Sequence, residues 1–301
     1  MRKMGLSTIY KLAKNNENII FIGSDLGLGT LEEFKNTLPK QFFMEGISES
    51  NVLGMAAGMA MEGDIVFVNS IASFLLRRSY EQLALDICAE NVNVRIFGNG
   101  GGLVYGPLGH SHTMVDDFSL LRSLDNLVIL APADSHEMEN YIKQSETFLG
   151  PIYFRLGKGG DKIVTSQKSI EIGKAQLFSN NNTTEILIIT TGVMLQRAME
   201  VMGSIDLDVL HFGTISPFDC ESLTNIVPNY KHIVVLEEHI KSGGLGTRVV
   251  EELFRSNIRP KIYQHLCLEN ELIDIYGRQE EILLEFKLSP EEIIKRIKNK
   301  R

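Results

Sequence analysis

Short runs rich in isoleucine and valine recur along this chain, each followed by a stretch of helical length with one polar and one apolar side. That alternation admits few folds. Strands covered on both faces read as near-continuous apolar runs, and a chain that returns through a helix after each one lays them side by side in parallel. Residues 18–23, 64–68, 92–97 and 127–130 fit strands, and 50–62, 78–90 and 135–146 fit helices. Beyond Pro151-Ile-Tyr-Phe-Arg the pattern breaks at Gly157-Lys-Gly-Gly, and a polar stretch runs through Asn180-Asn-Asn-Thr-Thr. Such a segment suits a linker. The alternation then restarts, with strands at 185–190, 207–212 and 232–236 and helices at 193–203, 245–255 and 289–299. The expectation is an α/β protein of two domains, 1–160 and 183–301, joined by a linker over 161–182.

The 301 residues are enough for two such domains, each with its own core. A formal net charge of −8, with basic residues scattered except in the tail at 295–301, argues against nucleic acid or an anionic membrane as partner. Cys88, Cys220 and Cys267 are odd in number and lack metal-ligand spacing, so they read as idle thiols in a reducing compartment. The N-terminus carries no apolar run ending in small residues, and no window reaches the ~20 apolar residues of a membrane span. A cytoplasmic protein is expected.

Four segments could carry chemistry. In Glu45-Gly-Ile-Ser-Glu-Ser-Asn-Val-Leu-Gly-Met-Ala-Ala-Gly-Met-Ala, Glu49 opens a helix of small residues, where a carboxylate either caps the helix or serves a site. After the run Ile71-Ala-Ser-Phe-Leu-Leu, Phe74 and Arg78 stand one turn apart near the carboxyl end of a strand. They make either a core ring with a surface cation or a ligand platform, since ligands of open α/β sheets bind at that edge. The cluster Gly98-Asn-Gly-Gly-Gly lacks the third glycine and the following helix of a dinucleotide fingerprint. In Tyr105-Gly-Pro-Leu-Gly-His-Ser-His-Thr, His110 and His112 alternate in a loop too glycine-rich for a core. Two imidazoles make an incomplete metal site, so proton transfer or substrate binding fits them better, and no metal is expected on this chain.

Taken in order, Gly46-Ile-Ser-Glu49 with Ala56-Ala-Gly-Met-Ala, Phe74 through Tyr80-Glu-Gln, Gly106-Pro-Leu-Gly-His-Ser-His112, Ala131-Pro-Ala-Asp134 and Leu236-Glu-Glu-His-Ile-Lys-Ser-Gly-Gly-Leu-Gly resemble the C-terminal two-thirds of transketolase and the similar parts of deoxyxylulose-phosphate synthase. The resemblance runs over nearly the whole chain. It implies a pyrimidine-binding domain, a parallel sheet flanked by helices, followed by a transketolase C-terminal α/β domain. It implies that Glu49 hydrogen-bonds the aminopyrimidine of thiamine diphosphate, where a partly buried carboxylate can share a proton with a ring nitrogen and favour the imino tautomer. By the same resemblance Phe74 stacks on the pyrimidine, Arg78 and Tyr80 line or support its pocket, and His112 faces the substrate, with His110, Arg155 and Lys158 as further substrate contacts.

The family's Gly-Asp-Gly motif for magnesium (or calcium) and diphosphate is missing here. The resemblance therefore implies a partner subunit carrying it, in an assembly of two copies of each, α2β2. Leu108 stands at a family aspartate, Gly100 and Gly29 at a histidine and a serine that grip the sugar phosphate, and Lys158 at an arginine, which removes a bidentate fork. These departures point to an altered sugar, unphosphorylated or nucleotide-linked. Two rivals remain: the beta subunit of a 2-oxo acid dehydrogenase, and a non-catalytic binding or regulatory paralogue.

Overall fold

The computed structural model describes residues 1–23, 28–157, 160, 162–166, 169–180, 184–271 and 273–300, the side chains at 28–30 excepted. Two sheets organise these residues. The first contains β1 (Ile19–Gly23), β2 (Phe42–Met44), β3 (Ile65–Ile71), β4 (Val94–Asn99), β5 (Val128–Leu130) and β6 (Ile152–Leu156), all parallel. The second contains β7 (Gln176–Phe178), β8 (Ile186–Thr190), β9 (Asp208–His211), β11 (His232–Ile240) and β12 (Ile262–Leu268), in the order β12-β11-β8-β9-β7 with only β7 antiparallel. The remaining strand, β10 (Thr214–Ser216), follows β9 in the chain yet joins the first sheet, antiparallel to β5. The order there is β10-β5-β6-β4-β3-β1-β2.

The two-domain α/β expectation holds, and the β-branched composition explains it. Every residue of β1, β4, β5 and β6 is buried, as parallel strands covered by helices on both faces require. The Arg2–Ala13 helix turns Leu6, Ile9 and Ala13 inward at helical spacing and seats Gly5 against the Ile142 side chain. Burying each such leucine or isoleucine contributes about 1.5–3 kcal/mol. One apolar cluster crosses from Ala131 and Tyr153 of the first domain to Leu187, Leu210 and Phe212 of the second.

Two departures from the sequence reading matter for the site. The helix expected from residue 78 begins at Ala72, directly after β3, and runs to Arg78. The apolar residues 71–76 carry no period that separates a buried strand from a buried helix. The helix stops at Ser79 (φ −121°, ψ 25°), and a short turn leads into a π-helix over Leu83–Ala89. The edge strands β2, β7, β10 and β12 escape the reading, being short or, in β12, interrupted by Gln264 and His265.

Buried polar groups complete the frame. Arg95, fully buried in β4, donates to the carbonyls of Ser145, Phe148 and Gly150, and burial pulls its guanidinium down to about 10. Asp134 caps the Ser135–Ser145 helix through the His136 and Glu137 amides and also accepts from Val164 and Thr165. Glu137 accepts from Tyr141, and from Gln176 and His211 across the domain junction.

Candidate active site

Glu49 is the first residue of the Glu49–Met61 helix, behind the N-cap Ser48, and no side chain caps that helix. Its carboxylate is only 6% exposed, and Oε2 lies 3.3 Å from Nη1 of Arg78. The second oxygen accepts no hydrogen bond from a described residue. The capping role left open by the sequence is thereby replaced by a buried acid facing an arginine.

The Ala72–Arg78 helix organises everything around that acid. It starts at the carboxyl end of β3, so its first turn opens onto the edge where α/β sheets bind ligands. Phe74 and Arg78 share a face, and the Arg78 guanidinium lies over the Phe74 ring with Cζ 4.1 Å from the centroid. On another side the Phe74 ring meets His112 at 5.0 Å and 67°, edge to face. Ser73 donates to the Ser111 carbonyl (3.1 Å), and Arg77 donates to the carbonyls of His110 and Thr113 and pairs with Asp116 at 2.7 Å. One helix thus holds Glu49 through Arg78 and the histidine turn through Ser73 and Arg77.

In that turn the amides of His112 and Thr113 both donate to the Gly109 carbonyl. His112 Nδ1 lies 2.9 Å from Ser111 Oγ, so the other ring nitrogen is left without a hydrogen-bond partner among the described residues. His110 stands exposed at the rim, and it is its carbonyl that the loop uses. The structure therefore brings Glu49, Phe74, Arg78 and His112 together. The Tyr80 hydroxyl donates to the Leu120 carbonyl and meets Ser123 Oγ, bracing the neighbouring segment.

Arg155 turns inward. Its Nε is 3.0 Å from Asp117 Oδ2, its Nη2 donates to the carbonyls of Met114 and Glu238, and its guanidinium covers the Phe118 ring. His239 of the second domain stacks on the same ring, 5.1 Å away and nearly parallel. Lys158 and the surroundings of Gly29 lie outside the described residues. Gly100 has φ +80°, and a Cβ there would come within 2.2 Å of the Tyr105 ring, so that ring fills the space a longer residue would need. Leu108 is exposed. Among the described residues no cluster of three or more His, Cys, Asp or Glu side chains could hold a metal ion.

The second domain adds groups that sequence reading did not assign. Glu237, at the end of β11, accepts from the Leu245 and Gly246 amides and from His265, so it caps the Leu245–Arg255 helix from a distance. Burial would raise its pKa, but the hydrogen bond from His265, the nearby His239 and His265 rings and the Gly246 amide together hold it below the ordinary value. Glu238 receives the Leu103 amide and both oxygens receive Gln279 Nε2, although burial still raises its pKa. Ser73 and Arg77 were half legible, because the Arg77-Arg78 pair was visible. Gln279 and Tyr276 had no signal, because they lie far along the chain from the loop they meet.

A two-domain α/β chain with a buried acid, an aromatic platform and an imidazole at one sheet edge is the class of protein defined so far. The family profile "Transketolase, pyrimidine binding domain" matches residues 1–160, and "Transketolase, C-terminal domain" matches 173–293. The chain belongs to the transketolase family and corresponds to its C-terminal section. It is similar to a subunit of apulose-4-phosphate transketolase from Phocaeicola vulgatus, 31% identical over 98% of this chain and 95% of that one. It is also similar to 1-deoxy-D-xylulose-5-phosphate synthase of Clostridium perfringens, 34% identical over 81% of this chain but 40% of the longer relative. Among solved structures, a split-gene transketolase described as an inactive beta4 tetramer superposes with a TM-score of 0.87 at 27% identity, covering 99% of this chain and 97% of that one.

Proposed function

We propose that this chain is the C-terminal, beta-type subunit of a split transketolase. It transfers a two-carbon ketol unit between sugars with thiamine diphosphate, whose diphosphate and magnesium (or calcium) are held mainly by a partner chain, in a cytoplasmic α2β2 assembly. Residues 1–160 and 183–301 act as its two functional units. The observation that carries this reading is the contact chain Glu49–Arg78–Phe74–His112 along one sheet edge. Relatives of the same length support the division of labour: one is named as a subunit of a larger transketolase, and another is a split-gene chain that is inactive as a tetramer of beta chains alone.

The residues fit the aminopyrimidine. Arg78 already presents a flat, nitrogen-rich group that stacks on Phe74 and donates to Glu49, the two contacts an aminopyrimidine would make. The guanidinium is 51% exposed and held at the acid by a single 3.3 Å contact, so moving it costs no more than about 1 kcal/mol. When bound, thiamine diphosphate supplies the nucleophilic carbon that carries the two-carbon unit. Glu49 would hold the shared proton at a ring nitrogen, in a pocket dry enough to strengthen that bond. Phe74 would fix the ring plane, Arg78 would flank it, and His112 would offer its free ring nitrogen to a substrate hydroxyl or carbonyl oxygen. The apolar Leu108 and the ring of Tyr105 beside Gly100 favour an altered sugar over a standard pentose phosphate.

Calorimetric titration of thiamine diphosphate with magnesium into this chain, alone and mixed with a candidate diphosphate-binding chain, tests the reading. Binding is expected in the mixture only, with turnover lost in Glu49→Ala. A stable complex that binds nothing would sink it, and turnover dependent on a lipoyl domain would assign the chain to 2-oxo acid oxidation instead. Best activity with xylulose 5-phosphate and ribose 5-phosphate would overturn the altered-sugar part alone.

A further inference from the structure

The loop that carries His112 is soft by composition. Gly100, Gly102 and Gly109 all have positive φ, and glycine restricts the backbone least. Its position is therefore imposed from outside, and two surfaces impose it. The first is the Ala72–Arg78 helix described above. The second is the far domain. A Cβ on Gly102 would come within 2.5 Å of Glu238 Oε1, one on Gly106 within 2.4 Å of Ile282 Cδ1 and 2.6 Å of the Gly277 carbonyl, and one on Gly109 within 2.6 Å of the Tyr276 ring. Three successive glycines of the loop are thus the places where the second domain approaches the backbone itself. Glu238 also binds the Leu103 amide and is held in turn by Gln279.

We propose that the second domain is the seat of the histidine loop, and that Tyr276, with the Glu238–Gln279 pair behind it, is a positioning residue for His112. This rests on the function proposed above. Tyr276 is 65% exposed, so its burial does little for the core. What its ring does cover is Gly109, whose carbonyl anchors the amides of both His112 and Thr113. A shift of that peptide moves the imidazole with it. A displacement of about 1 Å in a reacting group costs on the order of 100-fold in rate.

The test uses Tyr276→Ala and Tyr276→Phe in two arms. In the full-length chain, amide hydrogen exchange at His112 and Thr113 should speed up about tenfold in Tyr276→Ala, stay at the parent rate in Tyr276→Phe, and remain unchanged along the Glu49–Met61 helix. In the reconstituted two-chain enzyme, Tyr276→Ala should lower kcat about tenfold or more, with the cofactor Kd and the sugar KM within twofold of the parent, and Tyr276→Phe should restore kcat. Unchanged exchange in Tyr276→Ala overturns the proposal, as does altered exchange with unchanged kcat. A raised KM with normal kcat also overturns it, because that would make Tyr276 a substrate contact. A parent complex without cofactor binding would refute the proposed function instead, and the exchange arm would still decide whether Tyr276 holds the loop.

Discussion

Replacing Glu49 with glutamine separates its two possible contributions. Its structural role is small: one 3.3 Å contact to an arginine that is half in water. Opposite charges at that distance attract by about 1 kcal/mol in a water-like dielectric, and ordering a long arginine offsets part of it, so the fold should lose no more than about 1 kcal/mol. For a chain of this size that lowers Tm by about 2–4 °C. The chemical role is large, because glutamine cannot hold a proton for a ring nitrogen, and a positioned acid–base group is worth about 100- to 10,000-fold in rate. Turnover of the reconstituted enzyme should fall by at least that lower bound while Tm and association with the partner chain stay near the parent's. Retention of a third of the parent's kcat, or a Tm loss of ten degrees, would refute the assignment, since Glu49 would then be either idle or a structural keystone.

Other outcomes follow from the junction and the thiols. Arg155→Met should destabilise the chain by about 3–5 kcal/mol in urea unfolding, because Asp117 is fully buried and loses its ion pair. Acidification should weaken the fold through Glu237: its folded-state pKa lies below the ordinary carboxylate value of 4.5, so its contribution is complete above that pH and is lost as pH falls through the lower, folded value. Urea midpoints measured from pH 7 downward should therefore drop less steeply below pH 4.5 in Glu237→Gln than in the parent. Burial pushes the Cys88 and Cys267 thiols up to about 12, whereas Cys220 is only half-buried. A thiol reagent at pH 8 should modify Cys220 first and the other two only on unfolding.

The sheet skeleton was legible because parallel strands buried on both faces must be apolar throughout, as β1 and β8 are. β10 was not, since three residues, Thr214–Ser216, carry no alternation, and their partner β5 lies in the other domain. At the site, Glu49 and Phe74 could be picked out only through the resemblance, because a carboxylate at a helix start is the same pattern whether it caps or catalyses. Arg155 was expected to meet substrate. From sequence, an arginine at a strand end gives no sign that an acid such as Asp117 will be buried beside it.

The placement of β10 makes the two domains joint owners of one sheet. Cutting the chain between them would strip β5 of its outer neighbour and leave a bare row of amides and carbonyls at the end of an otherwise sealed sheet, the kind of edge that pairs with other copies. The pyrimidine-binding half is thus unfit to be a free-standing module, and any recombination that swaps the C-terminal half for another must bring a strand that can close the same border.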